Sequence, residues 1–338
     1  MDIKDILAQL VSVSGVSGAE NEAAQKAAEL AGEYGEVRID EGSHNVFVKR
    51  TGFDDSKPTV LLDAHIDEIG MIVTYITDDG FLKVSGCGGL DNRVLLAQQV
   101  TVCGKKKLTG FVTSTPPHLE KDSSKAPDIG EIYIDIGFTS KAEAAEYVSL
   151  GDRVLIENQL AELINGRVTS KAIDDRAGCA AVLRTLELLK GKELGCNVAA
   201  VFSSQEEVGE RGAKTAAFDI DPDMAMIVDV SFAKTHSESD EDCGIIGKGP
   251  MIGIAPSLSS KMSDELIKIA EETAISYQIE VMSGRTGTNA DAIGLTKGGV
   301  AAVTVSIPEK HMHTPVEIVD IADIENTAKL MAEYLERV

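Results

Sequence analysis

The sequence predicts an α/β fold in which a mixed sheet is sandwiched by helices and interrupted by an inserted small β-barrel or β-sandwich. Continuous apolar runs such as PTVLLDAHID, of the kind buried on both faces of a sheet, alternate with amphipathic stretches in both outer parts of the chain. Between residues 69 and 165 this pattern gives way to short alternating runs divided by Gly and Asp. The 338 residues also exceed one ordinary domain, so a second, smaller unit is expected.

Taken in order, Ile3, Ile6, Leu7 and Leu10 recur at helical spacing and make a first helix. Ser17-Gly-Ala-Glu20 has the form of a capping box before an Ala- and Glu-rich helix that Gly32 or Gly35 can end. EVRID and NVFVKR read as short strands, and PTVLLDAHID as a strand with His65 at its carboxyl end. The inserted module follows as MIVTYI, FLKVSG, QQVTVCG, KLTGFVTS, EIYIDIGF and RVLIEN. Within it, the polar, Pro-bearing PPHLEKDSSKAPD at 116–128 is expected to be a flexible loop. Beyond residue 165, RAGCAAVLRTLELLK, SDELIKIAEETAISY and IENTAKLMAEYL read as helices, and NVAAVFSS, MAMIVDVS and GVAAVTVSI as strands. The expected division is an α/β unit of 1–68 with 166–338, and an inserted β unit of 69–165.

Composition narrows the function. A formal charge of −23 opposes binding to nucleic acid or anionic lipid, both of which are held through Lys and Arg contacts to phosphate. That charge keeps the protein in solution, and it also suits substrates carrying a positive group such as a free amine. No apolar run reaches the roughly 18 residues of a membrane helix, and MDIKDILAQLVSVSG has neither a basic leader nor a cleavage site. Five cysteines stand singly, without C-x-x-C spacing, and their odd number cannot close fully into disulfides, which fits a reducing cytoplasm.

Ligand-type residues gather where functional groups of open α/β sheets collect, at the carboxyl ends of strands. DAHIDEIG carries His65 and Asp67, VFSSQEEVGERG carries Glu206 and Glu207, IVDVS carries Asp229, and VSIPEKHMHTP carries His313. SKAIDDRAG adds Asp174-Asp175 at the expected start of a helix. Each alone is an ordinary turn or cap residue. Together they form a mixed N/O set that suits Zn²⁺, Co²⁺ or Mn²⁺, in which a carboxylate can bridge two ions. Of the adjacent Glu206 and Glu207, one can ligate while the other takes a proton.

DAHIDEIG, KAIDDRAG, SSQEEVGERGA, IVDVS and IPEKHMHTPVE resemble, in this order, the five signature segments of the M42 family of metallo-aminopeptidases, relatives of the TET peptidases. The resemblance covers nearly the whole chain, including the inserted module. It implies a catalytic domain like that of zinc-dependent exopeptidases and a PDZ-like or β-barrel dimerisation domain, with dimers assembling into hollow dodecamers. It further implies two divalent metal ions per subunit, Zn or Co, with Mn as a third option. His65 and Asp229 would hold one, Glu207 and His313 the other, and Asp174 would bridge them. Glu206 would be the general base, and Asp67 would orient His65. Two departures, Ala64 where relatives often carry Gly before the His and SFAKTHSES in place of the commoner Thr-His version, remove no ligand. His311 and His236 are expected to be neighbours of the site, not ligands. SGRTGTNADAIG at 283–294 would line the substrate pocket.

The reaction so implied is hydrolysis of the N-terminal residue from short peptides with a free amine. A metal-dependent deacylase or carboxypeptidase on the same fold is the alternative, separable by substrates with blocked N-termini. A glycoside hydrolase is less well served, because such sites pair two carboxylates with an aromatic platform and this chain has no Trp and 4% aromatic residues. A purely structural assembly subunit would have no use for the ligand set.

Overall fold

The protein is described by a computed structural model over residues 2–115, 126–236 and 243–338. Helix α1 (Ile3–Val11) is capped by Asp2, whose carboxylate accepts the Lys4 N–H at 3.1 Å, and it buries the Ile3, Ile6, Leu7, Leu10 stripe. Helix α2 (Asn21–Ala31) starts without the expected capping box. The Ser17 hydroxyl donates instead to Asp67 Oδ2 at 2.6 Å, so a tertiary hydrogen bond has taken the group that local geometry would have used.

Strands β1 (Gly35–Ile39), β2 (Val46–Arg50) and β3 (Thr59–His65) follow, and the chain then leaves for the barrel. The barrel strands are β4 (Gly70–Ile76), β5 (Leu82–Cys87), β6 (Gln99–Cys103), β7 (Lys107–Thr113), β8 (Tyr133–Asp135) and β9 (Arg153–Ile156), with α3 (Lys141–Ala145) before the last. They close in the order β4-β5-β8-β7-β6-β9, which leaves no open edge. Alternate residues point inward and give the barrel its own core of Met71, Val84, Val100, Val102, Ile134 and Val154. The segment expected as a flexible loop lies, over 116–125, outside the described residues.

By residue 161 the chain has rejoined the α/β unit, because β10 (Ala161–Glu162) already pairs with β11 (Arg167–Ser170). Then come α4 (Ile173–Leu188), β12 (Asn197–Ser203), α5 (Arg211–Ile220), β13 (Met224–Phe232), β14 (Met251–Ile254) and α6 (Ser260–Thr273). The chain ends with β15 (Gln278–Val281), α7 (Ala290–Ile293), β16 (Ala301–Glu309), β17 (Glu317–Asp320) and α8 (Ile321–Leu335). An eight-stranded sheet has the order β1-β2-β12-β3-β13-β16-β14-β15, and β10, β11 and β17 form a second, small sheet.

The central strands β12, β3, β13 and β16 are parallel, so their carboxyl ends open on one side. His65 lies opposite Ser203 and Asp229 opposite Ser306 in register. Both sheet faces are covered. Val60, Leu62 and Ala64 pack with α1, α4 and α8 on one face, while Leu61 packs with Ala213, Ala216 and Ala217 of α5 on the other. This double burial is why β3 reads as a continuous apolar run.

Phe202 is wholly buried in the larger core. Phe202→Ala is expected to cost about 3–5 kcal/mol, seen as a lower thermal unfolding midpoint, whereas Leu163→Ala at a half-exposed position changes stability by no more than about 0.5 kcal/mol.

Candidate active site

Parallel register brings the sequence-distant segments together. His65 ends β3, Asp229 lies on β13, Glu206 and Glu207 occupy the turn after β12, and His313 follows β16. All four segments, with Asp174, line one cavity of about 430 Å³. Asp174 and Asp175 do not begin a regular helix: they are joined by a cis peptide and have non-helical backbone angles, so the helical turns of α4 start after them.

The two Asp174 oxygens face different histidines. Oδ1 is 2.9 Å from His65 Nε2, and Oδ2 is 3.3 Å from His313 Nε2. Asp229 Oδ1 lies 3.8 Å from His65 Nε2, and Glu207 Oε2 lies 3.5 Å from His313 Nε2. Among the described residues, His65, Asp174 and Glu207 form one group able to hold a metal ion, and His65, Asp175 and Asp229 another. Asp175 is less free than that second grouping implies. Its Oδ2 accepts the His65 backbone N–H at 3.2 Å and its Oδ1 that of Gly178 at 2.9 Å, so it braces the strand end while Asp174 faces the cavity.

Asp67 is fully buried beneath the site. Its Oδ1 accepts the Glu206 N–H at 2.9 Å, and its Oδ2 accepts the Glu207 N–H at 3.3 Å together with the Ser17 hydroxyl. The His65 ring meets Asp67 through Nδ1, which is 3.2 Å from the Asp67 main-chain oxygen and 3.5 Å from Oδ1. With Nδ1 so engaged, Nε2 is the nitrogen left for the cavity. The Glu206 side chain lines the cavity beside the cluster.

Glu317 is a positioning residue that the sequence reading passed over. Its Oε2 accepts the N–H groups of Ile173 and Asp174 at 2.7 and 3.2 Å, and its Oε1 accepts that of His313 at 3.2 Å, so one carboxylate locates two ligand-type segments. The available signal was its place inside IPEKHMHTPVE, four residues after His313. Glu309 is buried with no hydrogen-bond partner on either carboxylate oxygen. His236 and His311 are exposed and belong to neither metal-type group. Of the 283–294 segment, Thr286, Gly287 and Thr288 line the cavity.

The barrel closes over one side. A Cβ on Gly89 would come within 2.6 Å of His313 Nδ1, and one on Gly88, whose φ is +79°, within 2.9 Å of Glu207 Oε2. Only glycine permits so close an approach.

The electrostatics follow from crowding acids in a dry place. Burial pushes Glu206 up to about 7 and Glu207 up to about 8, and the charge of Asp174 adds to both. Burial also raises Asp229 well above the usual carboxylate range. For His65 burial acts downward, but hydrogen bonds to Asp174 and Asp67 outweigh it and raise the imidazole well above its ordinary value. The bond to Asp174 raises His313 to about 9, while the two imidazoles hold Asp174 low against its own burial. A donor set of two imidazole nitrogens and several carboxylates, so strained by its own negative charge, fits divalent cations.

The profile of the M42 glutamyl aminopeptidase family matches residues 44–330. An aminopeptidase from the archaeon Desulfurococcus kamchatkensis is 36% identical with a TM-score of 0.92, over 99% of this chain and 95% of that one. The TET1 peptidase of Pyrococcus horikoshii, described as assembling into a tetrahedron or a large octahedral shell, is 30% identical with a TM-score of 0.88, over 99% of this chain and 100% of that one. The lysyl aminopeptidase of Pyrococcus furiosus is 33% identical over 89% of this chain and 87% of its own length. The matched region runs from before β3 to within α8 and so contains every segment that meets at the cavity, and the chain accordingly belongs to the M42 glutamyl aminopeptidase family of peptidase hydrolases.

Proposed function

We propose that this chain is a two-metal aminopeptidase that releases the N-terminal residue of short peptides, with Glu206 as the general base. The observation that carries the reading is Asp174, whose two oxygens point to His65 on one side and His313 on the other. In it His65 and Asp229 would hold one divalent ion, Glu207 and His313 would hold a second, and Asp174 would serve both; Zn or Co suits this donor set, and Mn would be tolerated. When bound, the pair supplies Lewis acidity to the scissile carbonyl and lowers the pKa of a water.

Glu206 then does the proton work. Its carboxyl group faces the same cavity as the ligand set, where a positioned carboxylate can take a proton and return it. It accepts the proton of the attacking water and delivers it to the departing amine. Asp67 holds the Glu206–Glu207 turn by two backbone hydrogen bonds and keeps His65 turned with Nε2 inward. The remaining cavity volume takes the first residue of the substrate, whose free amine is drawn to the carboxylates.

The same reading makes the chain a homo-oligomer in which the barrel unit pairs subunits and dimers build a dodecamer. The likeness to Pyrococcus horikoshii TET1, described as forming closed shells, supports it. Its five cysteines, none of them in C-x-x-C spacing, suit a reducing cytoplasm.

Glu206→Gln is expected to keep its bound metal and to lose about 10²–10⁴-fold in turnover of free-amine peptides; wild-type turnover with metal bound would remove Glu206 from the base role. Asp174→Asn is expected to lower bound metal per chain, measured by elemental analysis after chelator stripping and reloading, and unchanged metal content would show that Asp174 is not shared. Light scattering on the eluting protein is expected to give about twelve chain masses of 35.8 kDa, and a monomer mass would exclude the shell.

A further inference from the structure

We infer that Glu280 makes the cavity select peptides whose first side chain is cationic, lysine or arginine; this rests on the aminopeptidase reading above. Beyond the metal-type residues and Glu206, the cavity has apolar walls from Val230, Phe232, Met282 and Met312, and one more carboxylate, that of Glu280. No lysine or arginine lines it among the described residues.

Glu280 belongs to the edge strand β15, yet it reaches inward across β14. Its register partner there is Gly253, where a Cβ would come within 2.0 Å of Thr304 Oγ1 and 3.0 Å of Met282 Cε. Glycine there lets Thr304, Leu258 and Met282 pack against the strand beside Glu280. At the far side the Ser306 hydroxyl donates to Glu280 Oε2 at 2.7 Å and the Ser231 hydroxyl donates to Oε1. These serines stand on β16 and β13, in line with Asp229.

Two neutral hydroxyls, one per oxygen, hold the carboxylate in place without cancelling its charge. Each oxygen keeps a further lone pair for an incoming donor. A fixed anion behind apolar walls matches a lysine, whose methylene stem packs on the walls while its ammonium brings three donors, and an arginine, which can meet a carboxylate with two parallel bonds. An acidic first residue would set two carboxylates against each other.

Glu280→Gln keeps partners for both serine hydroxyls and removes only the charge. Full-length metal-loaded wild type and variant are compared on lysyl, norleucyl and glutamyl anilides, norleucine being the lysine stem without its ammonium. Wild type is expected to favour lysyl over norleucyl in kcat/KM by roughly 10- to 100-fold, the range a charge-assisted hydrogen bond carries. The variant is expected to lose that preference, its lysyl-to-norleucyl ratio falling to about one. A wild-type ratio near one, or a ratio unchanged in the variant, overturns the assignment. Calorimetry with lysinamide and norleucinamide reads the same preference at equilibrium. If no anilide is cleaved, the aminopeptidase reading falls, while tighter lysinamide binding that disappears in Glu280→Gln still supports Glu280. Equal binding of the two amides, or binding of neither, overturns it.

Discussion

Negative charge held away from water is the constraint around which the α/β unit is arranged. Asp67, Asp174, Asp175, Asp229, Glu309 and Glu317 are all nearly or wholly buried in one region. A buried carboxylate must gain hydrogen bonds, a counter-charge or a proton to replace its lost hydration. The three answers are divided among these residues. Backbone N–H groups serve Asp67, Asp175 and Glu317. Imidazoles serve Asp174. Burial nonetheless raises Asp175, Asp229, Glu309 and Glu317 well above the usual carboxylate range and is the first cause for each. Divalent cations are the natural counter-charge for the acids that face the cavity.

The carboxylates that face away from the cavity are what locate those that face it. Asp67 takes the backbone of the Glu206–Glu207 turn, Asp175 takes the end of β3, and Glu317 takes both the start of α4 and the His313 loop. Four chain segments that share no local sequence are thereby tied by hydrogen bonds to buried carboxyl groups. Loops that would otherwise vary among conformations inherit the rigidity of the parallel sheet beneath them. Ser17 shows how strongly this organisation competes: its hydroxyl serves Asp67 and leaves α2 without a side-chain cap.

The barrel is more than a separate module. It has its own core, but it also brings Gly88 and Gly89 against Glu207 and His313, so one wall of the site comes from the inserted part of the chain. An insertion placed directly after His65 emerges at the active edge of the sheet, which is where such a wall is needed. On the opposite side β14 and β15 extend the sheet and carry Glu280 toward the same cavity.

By itself the sequence determined the α/β pattern, the position of the inserted strands and the strand-end residues His65, Asp229, Glu206, Glu207 and His313, because these are written in local periodicity and in residue types at strand ends. Its readable signals were all short-range. The tertiary structure alone decided that Asp174 faces both histidines while adjacent Asp175 faces backbone, that Ser17 abandons its helix for Asp67, and that Glu317 and Glu280 reach the site at all. Each of those outcomes depends on which way a side chain points after distant strands have come into register. Linear spacing carries no record of that geometry, since a carboxylate has the same letter whether it meets water, an amide or an imidazole.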